Sequence, residues 1–200
     1  MARKSFGKGA MLNPVPVVMV TSGHGKSNVF TVAWTGIVNS DPPMTYISVR
    51  KERFSHHLID ETDEFVINLV DENLAFACDY CGVKSGRDMD KFEKCGIHRE
   101  KSEVVCCDSI AESPVSIECR VREKKELGSH DMFLADIVAV TVRDDLVDSK
   151  NAIRLDKAGL VAYNHGQYFG LRREPIGRFG YSVMKPKTRR RINRKKRTGK

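Results

Sequence analysis

Hydroxyl and cationic side chains collect at the end of a strand-like segment that stops at Arg50. Ser48 and Arg50 fall on the same side of the alternating pattern, and Ser55 follows within one turn. Such groups suit a phosphate, because the planar fork of arginine matches two phosphate oxygens. Arg50 is therefore the first candidate for a phosphate partner. The alternative is a solvated basic cluster, and it applies more strongly to Lys51 and Arg53.

The preceding strand-like segment has one bulky face and one small face. The bulky residues are Phe30, Val32 and Trp34, and the small or hydroxyl-bearing residues are Thr31, Ala33 and Thr35. Alternation predicts that the bulky face packs in a core and that the small face leaves room for a flat ligand. An ordinary amphipathic strand is the alternative. The Asp-Pro-Pro segment at residues 41–43 then forms a corner, because proline donates no backbone hydrogen bond, and the next strand begins at Met44.

A second candidate anion site lies in the segment SGRDMDKF at residues 85–92. Ser85 and Gly86 form a turn whose backbone N–H groups can point at an anion, and Asp88 is predicted to begin a short helix. Lys91 lies near enough to reach back toward this turn. Taken alone, such a turn is most often an ordinary loop.

These segments must be positioned by a fold that is rich in strands. Periodicity predicts strands at residues 15–21, 29–35, 44–49, 64–70, 114–127 and 132–143, and short helices at 55–62, 72–80 and 88–94. The last two strands form a hairpin across the turn GSHD, which contains His130. Long strands with few short helices favour an antiparallel barrel over a parallel α/β sheet. No GxGxxG segment follows a strand, so no separate nicotinamide-binding domain is predicted.

The positive charge of the chain is concentrated near its C-terminal end. The 200 residues carry a net charge of +8, but residues 185–200 contain ten Lys or Arg and no acid, which leaves −2 for the rest. This segment has few apolar residues, and it is predicted to be a disordered tail. It is interpreted either as a tether to nucleic acid or anionic lipid, or as a solvated extension. The lack of aromatic residues argues against sequence-specific recognition.

Cysteine chemistry is left open by the sequence. Six cysteines in a chain without an apolar signal segment predict reduced thiols in a cytoplasmic protein. Cys78 and Cys81 form a CxxC pair that could be redox-active or bind zinc, but their helical spacing also suits a core. There is neither a second CxxC nor an HExxH pair, so no metal site is predicted. No apolar run approaches the roughly 18 residues of a membrane span.

Several segments, taken in order, resemble the flavin reductase-like proteins that bind FMN, and most closely the flavoredoxins. They are TVAWTGIVNSDPPMTYISVRKERFS and DYCGVKSGRDMDKF, together with NPVPVVMVTS, GLVAYNHGQYFGL and GRFGYSV. The resemblance covers roughly residues 12–183. It implies a mainly β fold, namely a split β-barrel with Greek-key connections and a few short helices. The FMN-binding domain would span residues 1–184, and the tail residues 185–200.

The resemblance also assigns site residues. Those along the flavin ring would be Thr31, Ala33, Trp34 and Thr35, and those closing over the ribityl chain and phosphate would be Ser48, Val49, Arg50, Phe54, Ser55, Ser85, Gly86 and Lys91. His130 would deliver a proton or position a hydride donor, unless it is merely an exposed turn residue. Tyr168 would cover the ring edge or pack across a dimer seam, unless it belongs to the core.

What the resemblance implies for function is electron transfer through FMN in a homodimer. The flavin would be reduced by NAD(P)H, which would have to dock on the flavin itself, or would exchange electrons with a partner protein or a metal acceptor. One alternative is a non-catalytic FMN-binding module that the basic tail tethers to nucleic acid or an anionic surface. Another is a barrel without FMN, which would be colourless when purified. The sequence names neither the donor nor the acceptor.

Overall fold

The computed structural model describes residues 1–172, 174–186 and 188, and β-strands dominate this part of the chain. The strands are β1 (Val15–Pro16), β2 (Val18–Ser22), β3 (Asn28–Val32), β4 (Thr35–Ser40), β5 (Pro43–Arg50), β6 (Glu64–Leu69), β7 (Arg99–Glu100), β8 (Ser109–Ile110), β9 (Val115–Glu126), β10 (His130–Val142), β11 (Val161–Asn164) and β12 (Gln167–Gly170). The helices are α1 (Phe54–Thr62), α2 (Ala75–Val83) and α3 (Lys91–Cys95), with short 3-10 turns at Asp144–Leu146, Leu155–Lys157 and Tyr181–Val183. Most of the predicted tail at 185–200 lies outside the described residues, so its boundary stays a prediction.

Seven antiparallel strands form one sheet in the order β3-β2-β6-β9-β10-β5-β4. Strands β3 and β4 are consecutive in sequence and yet form the two edges, so the sheet must curl until those edges approach each other. Ala33 and Trp34 make the crossing, and the Ser48 N–H donates to the Trp34 carbonyl at 2.9 Å. The edges meet at this point without pairing along their length. The predicted split barrel is confirmed.

Two apolar clusters fix the elements around the crossing. The first fills the barrel and includes Phe65, Phe133 and Ile47, with Ile59 of α1 packed over it. The second cluster lies outside the barrel, where α2 and α3 pack against β2 and β3; its members include Met19, Val29, Leu74, Cys78, Cys81 and Phe92. Burial of each large apolar side chain contributes about 1.5–3 kcal/mol, so α2 and α3 are held firmly against the barrel wall.

A small sheet in the order β1-β11-β12 lies beside the main one. The predicted strand at residues 15–21 is therefore divided, because β1 pairs with β11 while β2 pairs with β3 and β6. Strands β11 and β12 form a hairpin whose two turn residues, His165 and Gly166, have φ of 51° and 90°. Both angles are those of the tight turn that suits hairpin twist. The hairpin brings Tyr163 and Tyr168 against the second of the two apolar clusters, where α2 packs on the barrel.

Two other predicted elements begin or end elsewhere. The strand predicted over 29–35 ends at Val32, because the chain must leave one sheet edge there to reach the other. The helix predicted over 88–94 begins at Lys91, because the Asp90 carboxylate caps it by accepting from the N–H groups of Phe92 and Glu93. No helix among the described residues is long and apolar enough to cross a membrane.

Candidate functional site

Two adjoining cavities open beside the crossing from β3 to β4. The crossover cavity has a volume of about 440 Å³ and takes its walls from β3, β5, α2 and the β11–β12 hairpin. The basic cavity has a volume of about 470 Å³ and lies between the start of α1, the end of α2 and Lys91. Phe30, Arg50, Arg53 and Val83 line both. The two cavities are therefore neighbours across one shared wall.

The crossover cavity is lined mainly by small, aromatic and hydroxyl-bearing residues. The complete lining consists of Val17, Phe30, Thr31, Val32, Ala33, Trp34, Ser48, Val49, Arg50, Arg53, Asp79, Gly82, Val83, His130, Tyr163 and Tyr168. The Trp34 indole is 48% exposed and stacks on the His130 imidazole, with ring centroids 4.7 Å apart and an angle of 29° between the planes. A stacked aromatic pair on an open cavity wall offers an apolar surface to a planar ligand.

His130 is the first residue of β10 and lies opposite Arg50 of β5 in the sheet. Its Nδ1 lies 2.9 Å from the Ser129 hydroxyl. Partial burial, and then the positive charge of Arg50, lower the pKa of His130 below its ordinary value. At neutral pH the uncharged imidazole therefore predominates more strongly than in an exposed histidine.

Three hydrogen bonds tie the walls of the crossover cavity to α2. The Thr31 hydroxyl donates to the Cys78 carbonyl, the Arg53 guanidinium donates to the Gly82 carbonyl at 2.9 Å, and the Tyr168 hydroxyl donates to the Asp79 carboxylate at 3.1 Å. Burial, and then the nearby Cys78 and Asp79, raise the pKa of Tyr168 well above its usual range. Tyr168 therefore remains a protonated donor throughout the physiological pH range.

Gly86 allows the loop after α2 to approach β3 closely. A Cβ built on Gly86 would lie 2.0 Å from Asn28 Oδ1, so only glycine fits without displacing that side chain. The Asn28 amide in turn donates to the Ser55 hydroxyl at 2.7 Å. One amide side chain thus fixes the Ser85–Gly86 turn and the first turn of α1 as facing walls of the basic cavity.

Lys91 is a buried cation in the wall of the basic cavity, with a relative exposure of 2%. Its Nζ donates to the carbonyls of Cys81 and Lys84 at 3.1 and 3.2 Å. Within the described part of the chain it forms no ion pair with a carboxylate. Burial lowers the pKa of Lys91 below its usual value, because desolvation disfavours the ammonium. A buried charge without a counterion is costly, and an anion in this cavity would supply one.

Both the sequence and the fold of this chain resemble those of known proteins. Residues 10–172 match the family described as flavin reductase like domain. This chain belongs to the flavin reductase-like family. An uncharacterized protein from Archaeoglobus fulgidus is 32% identical over 139 residues, which are 70% of this chain and 78% of that protein.

Solved structures of similar fold include two proteins whose names refer to a flavin. The flavoredoxin of Desulfovibrio vulgaris superimposes with a TM-score of 0.84 at 24% identity, covering 92% of this chain and all of that one. An FMN-binding protein from Thermus thermophilus gives a TM-score of 0.74 at 22% identity, covering 89% of this chain and 98% of that one. Both likenesses cover about nine-tenths of this chain and show a shared fold.

Most of the predicted site residues come together at the two cavities of this flavin reductase-like fold. The crossover cavity takes Thr31, Ala33, Trp34, Ser48, Val49, His130 and Tyr168; Arg50 lines both cavities; and the basic cavity takes Phe54, Ser55, Ser85, Gly86 and Lys91. Thr35 lines neither of them. Its hydroxyl donates to the Tyr46 carbonyl at 2.6 Å, because Thr35 already belongs to β4 on the far side of the crossing.

The structure also places residues that the sequence reading missed or misread. Alternation predicted that Trp34 packs in the core. It is not a core residue, because the strand ends before it. For Arg53 the alternative of a solvated basic cluster was the stronger one, yet this residue lines both cavities and donates to the Gly82 carbonyl near the end of α2. Asn28 and Tyr163 gave no sequence signal. The predicted helix N-terminus at Asp88 is absent, because α3 starts at Lys91 under the Asp90 cap, and Lys91 itself provides the positive charge.

Proposed function

We propose that this protein binds FMN across the two cavities and acts in electron transfer as a flavin reductase-like oxidoreductase. The observation that carries the proposal is Lys91, a buried cation that forms no ion pair among the described residues and lines a cavity adjoining one lined by aromatic and small residues. A ligand with an anionic end and a planar end fits this pair of cavities. The flavoredoxin and FMN-binding names of similarly folded proteins support the same ligand.

The residues of the basic cavity would hold the phosphate, and those of the crossover cavity the ring. Lys91 and Arg53 supply positive charge, and the Ser55 hydroxyl and the Ser85–Gly86 turn supply hydrogen-bond groups. The backbone N–H groups in the N-terminal turn of α1 add a partial positive charge, which no acidic residue in that turn offsets. Thr31 and Ser48 line the space in which the ring would lie.

When bound, FMN would supply one- and two-electron redox chemistry that no amino-acid side chain provides. The Trp34–His130 pair would shield one side of the crossover cavity from water. His130 Nδ1 is engaged by the Ser129 hydroxyl, which leaves Nε2 as the nitrogen that can hold or release a proton. The lowered pKa of His130 means that its imidazole is mostly uncharged at neutral pH, and in the tautomer in which Nδ1 donates to Ser129 the Nε2 atom is a proton acceptor.

The electron donor in this proposal is NAD(P)H, with a redox protein or a metal as a possible acceptor. We further propose a homodimer, because edge strand β4 exposes two large aliphatic side chains, Ile37 at 66% and Val38 at 50%.

A second candidate function is a non-catalytic FMN module anchored to an anionic surface, which the ten cations of residues 185–200 favour.

The purified protein should be yellow and should bind FMN at least about tenfold more tightly than riboflavin, since one charge-assisted hydrogen bond contributes roughly 1.5–3 kcal/mol. Fluorescence titration of the apoprotein with each flavin measures this difference. Anaerobic addition of NADH or NADPH to the FMN complex should then bleach the flavin absorbance. Equal affinities would remove the phosphate assignment, and FMN that binds but is not bleached would favour the non-catalytic module.

Gly86→Ala should weaken FMN binding about tenfold, because the new Cβ displaces Asn28 and breaks its 2.7 Å bond to Ser55. Gly9→Ala is the matched control, since a Cβ there meets no atom closer than 3.6 Å. Riboflavin affinity should change less than FMN affinity, because the altered wall belongs to the basic cavity. Unchanged FMN affinity in the Gly86 variant would show that this turn does not contact the ligand.

A further inference from the structure

The structure places Cys81 beside Cys95, which is not its partner in the CxxC pair. Cys81 Sγ lies 3.9 Å from Cys95 Sγ, whereas Cys78 Sγ lies 3.9 Å from the Thr31 hydroxyl. We propose that Cys81 and Cys95 are a redox modification site: they form a reversible disulfide between α2 and α3 that weakens anion binding in the basic cavity. The effect on binding rests on the proposed function, whereas formation of the bond does not.

The two thiols lie between two separate cavities. Cys81 is fully buried and lines the basic cavity. Cys95 is half-buried and lines another cavity, of about 340 Å³, together with Leu74, Ala77 and Gly96. A small oxidant can therefore reach Cys95 without entering the basic cavity. The sulfurs must approach from 3.9 Å to about 2.05 Å, which requires a small movement of one helix end.

Hydrogen peroxide is the class of oxidant that suits this pair. The Cys95 thiolate attacks the peroxide, so that an S–O bond forms, the O–O bond breaks and one water leaves after proton uptake. The Cys81 sulfur then attacks the sulfenic sulfur, so that the S–S bond forms, the S–O bond breaks and a second water leaves. Two electrons pass from the two thiols to one peroxide. The products are one disulfide and two waters.

Burial sets the rate of this chemistry. It raises the pKa of Cys81 to about 12 and also raises the pKa of Cys95, while the Lys91 charge opposes the shift at both. The thiolate is the reactive form, so oxidation is slow at neutral pH and accelerates as the pH rises. The resting protein therefore holds both thiols reduced, and the disulfide forms under sustained peroxide.

Lys91 couples the disulfide to the basic cavity. It lies four residues before Cys95 on α3, so the two side chains share one helix face. Its Nζ also donates to the Cys81 carbonyl on α2. Drawing the sulfurs together moves α3 against α2 and disturbs the hydrogen bonds that hold the ammonium in place. An ammonium displaced in this way loses a charge-assisted hydrogen bond to the anion in the basic cavity, which lowers the affinity for that anion about tenfold.

The bond itself is tested on the full-length apoprotein treated with hydrogen peroxide, alkylated and digested with trypsin. Mass spectrometry should find the peptide that begins at Cys95 linked to the peptide that contains Cys81. Cys78→Ser should preserve the link, and so should Cys106→Ser, which removes an exposed thiol. Cys95→Ser, or Cys95→Ala if folding requires it, should abolish it. Absence of this link, or a link from Cys95 to Cys78, would overturn the proposal.

The effect on binding is tested by FMN titration of the reduced and oxidised proteins. Oxidation should weaken FMN binding about tenfold, dithiothreitol should restore it, and the Cys95 variant should show no change with peroxide. A disulfide that leaves FMN affinity unchanged would overturn the coupling. If the reduced protein binds no FMN, both the coupling and the proposed function fail, while the disulfide map still decides whether the bond forms.

Discussion

Lys91→Met should greatly reduce the preference for FMN over riboflavin without unfolding the protein. The Lys91 ammonium is buried, lines the basic cavity and has no acidic partner in the described part of the chain. A phosphate bound there would be its counterion. Removing the charge should weaken FMN binding by about 10- to 150-fold, since a charge-assisted hydrogen bond is worth roughly 1.5–3 kcal/mol. Riboflavin binding should be nearly unchanged, and titration with both flavins measures the difference.

The stability of the Lys91→Met apoprotein provides an independent check. Burial lowers the pKa of Lys91 in the folded state, so the unfolded chain binds more protons between that pKa and the usual value. The charged lysine therefore destabilises the fold at lower pH, and this cost disappears as the pH rises toward about 10.4. Methionine removes the cost but loses two hydrogen bonds. We expect a small net change at pH 7 and a wild type that gains stability relative to the variant as the pH rises.

Two other substitutions separate a specific contact from general electrostatics. Lys94→Met removes an exposed charge from the same helix and should leave FMN binding unchanged. Arg50→Ala should weaken FMN binding only a few-fold, because the Arg50 side chain is 54% exposed and lies 3.5 Å from Glu52. Normal FMN affinity in the Lys91 variant would remove Lys91 from the site. Equal losses in the Lys91 and Lys94 variants would point to long-range charge alone.

Local patterns in the sequence were sufficient to predict the bounds of most of the strands and of one helix. The alternation in β5, the long β9–β10 hairpin and helix α1 were predicted to within a few residues, because their side chains follow one period from end to end. The crossing at Ala33 and Trp34 was not predictable in this way. Alternation continues through it, and the break exists only because β3 and β4 occupy opposite edges of one sheet.

The residues that were missed share a cause. For Arg53 the strand pattern, extended beyond Arg50, favoured the alternative of a solvated basic cluster, but β5 ends at Arg50 and the chain turns into α1. Lys91 was expected to reach back from a short helix toward the Ser85–Gly86 turn, whereas it is buried and its ammonium donates to carbonyls at the end of α2. Cys81 and Cys95 are 14 residues apart with no motif between them. Each placement depends on how two elements pack against each other. The periodicity of residues within one element carries no information about that packing.

Deleting residues 185–200 should abolish retention of the protein on heparin. The deletion changes the net charge from +8 to −2, because all ten Lys and Arg of the segment are lost with no acid. Retention of the full chain should fall steeply with salt, since binding of cations to a polyanion releases condensed counterions. Elution in a salt gradient and binding to vesicles containing anionic lipid measure the effect.

The same deletion should leave FMN affinity and the gel-filtration volume unchanged. Among the residues that the structure describes, those lining the two cavities end at Tyr168, and the exposed aliphatic side chains proposed for the dimer lie on β4. A full-length variant with the ten cations replaced by glutamine separates charge from chain length. It should behave like the truncated protein on heparin, and neither form should prefer one nucleic-acid sequence, because the segment has no aromatic side chain to stack on bases. Loss of FMN from the truncated protein but not from the glutamine variant would show that the backbone of this segment completes the flavin site. Loss from both would assign its cations to the ligand.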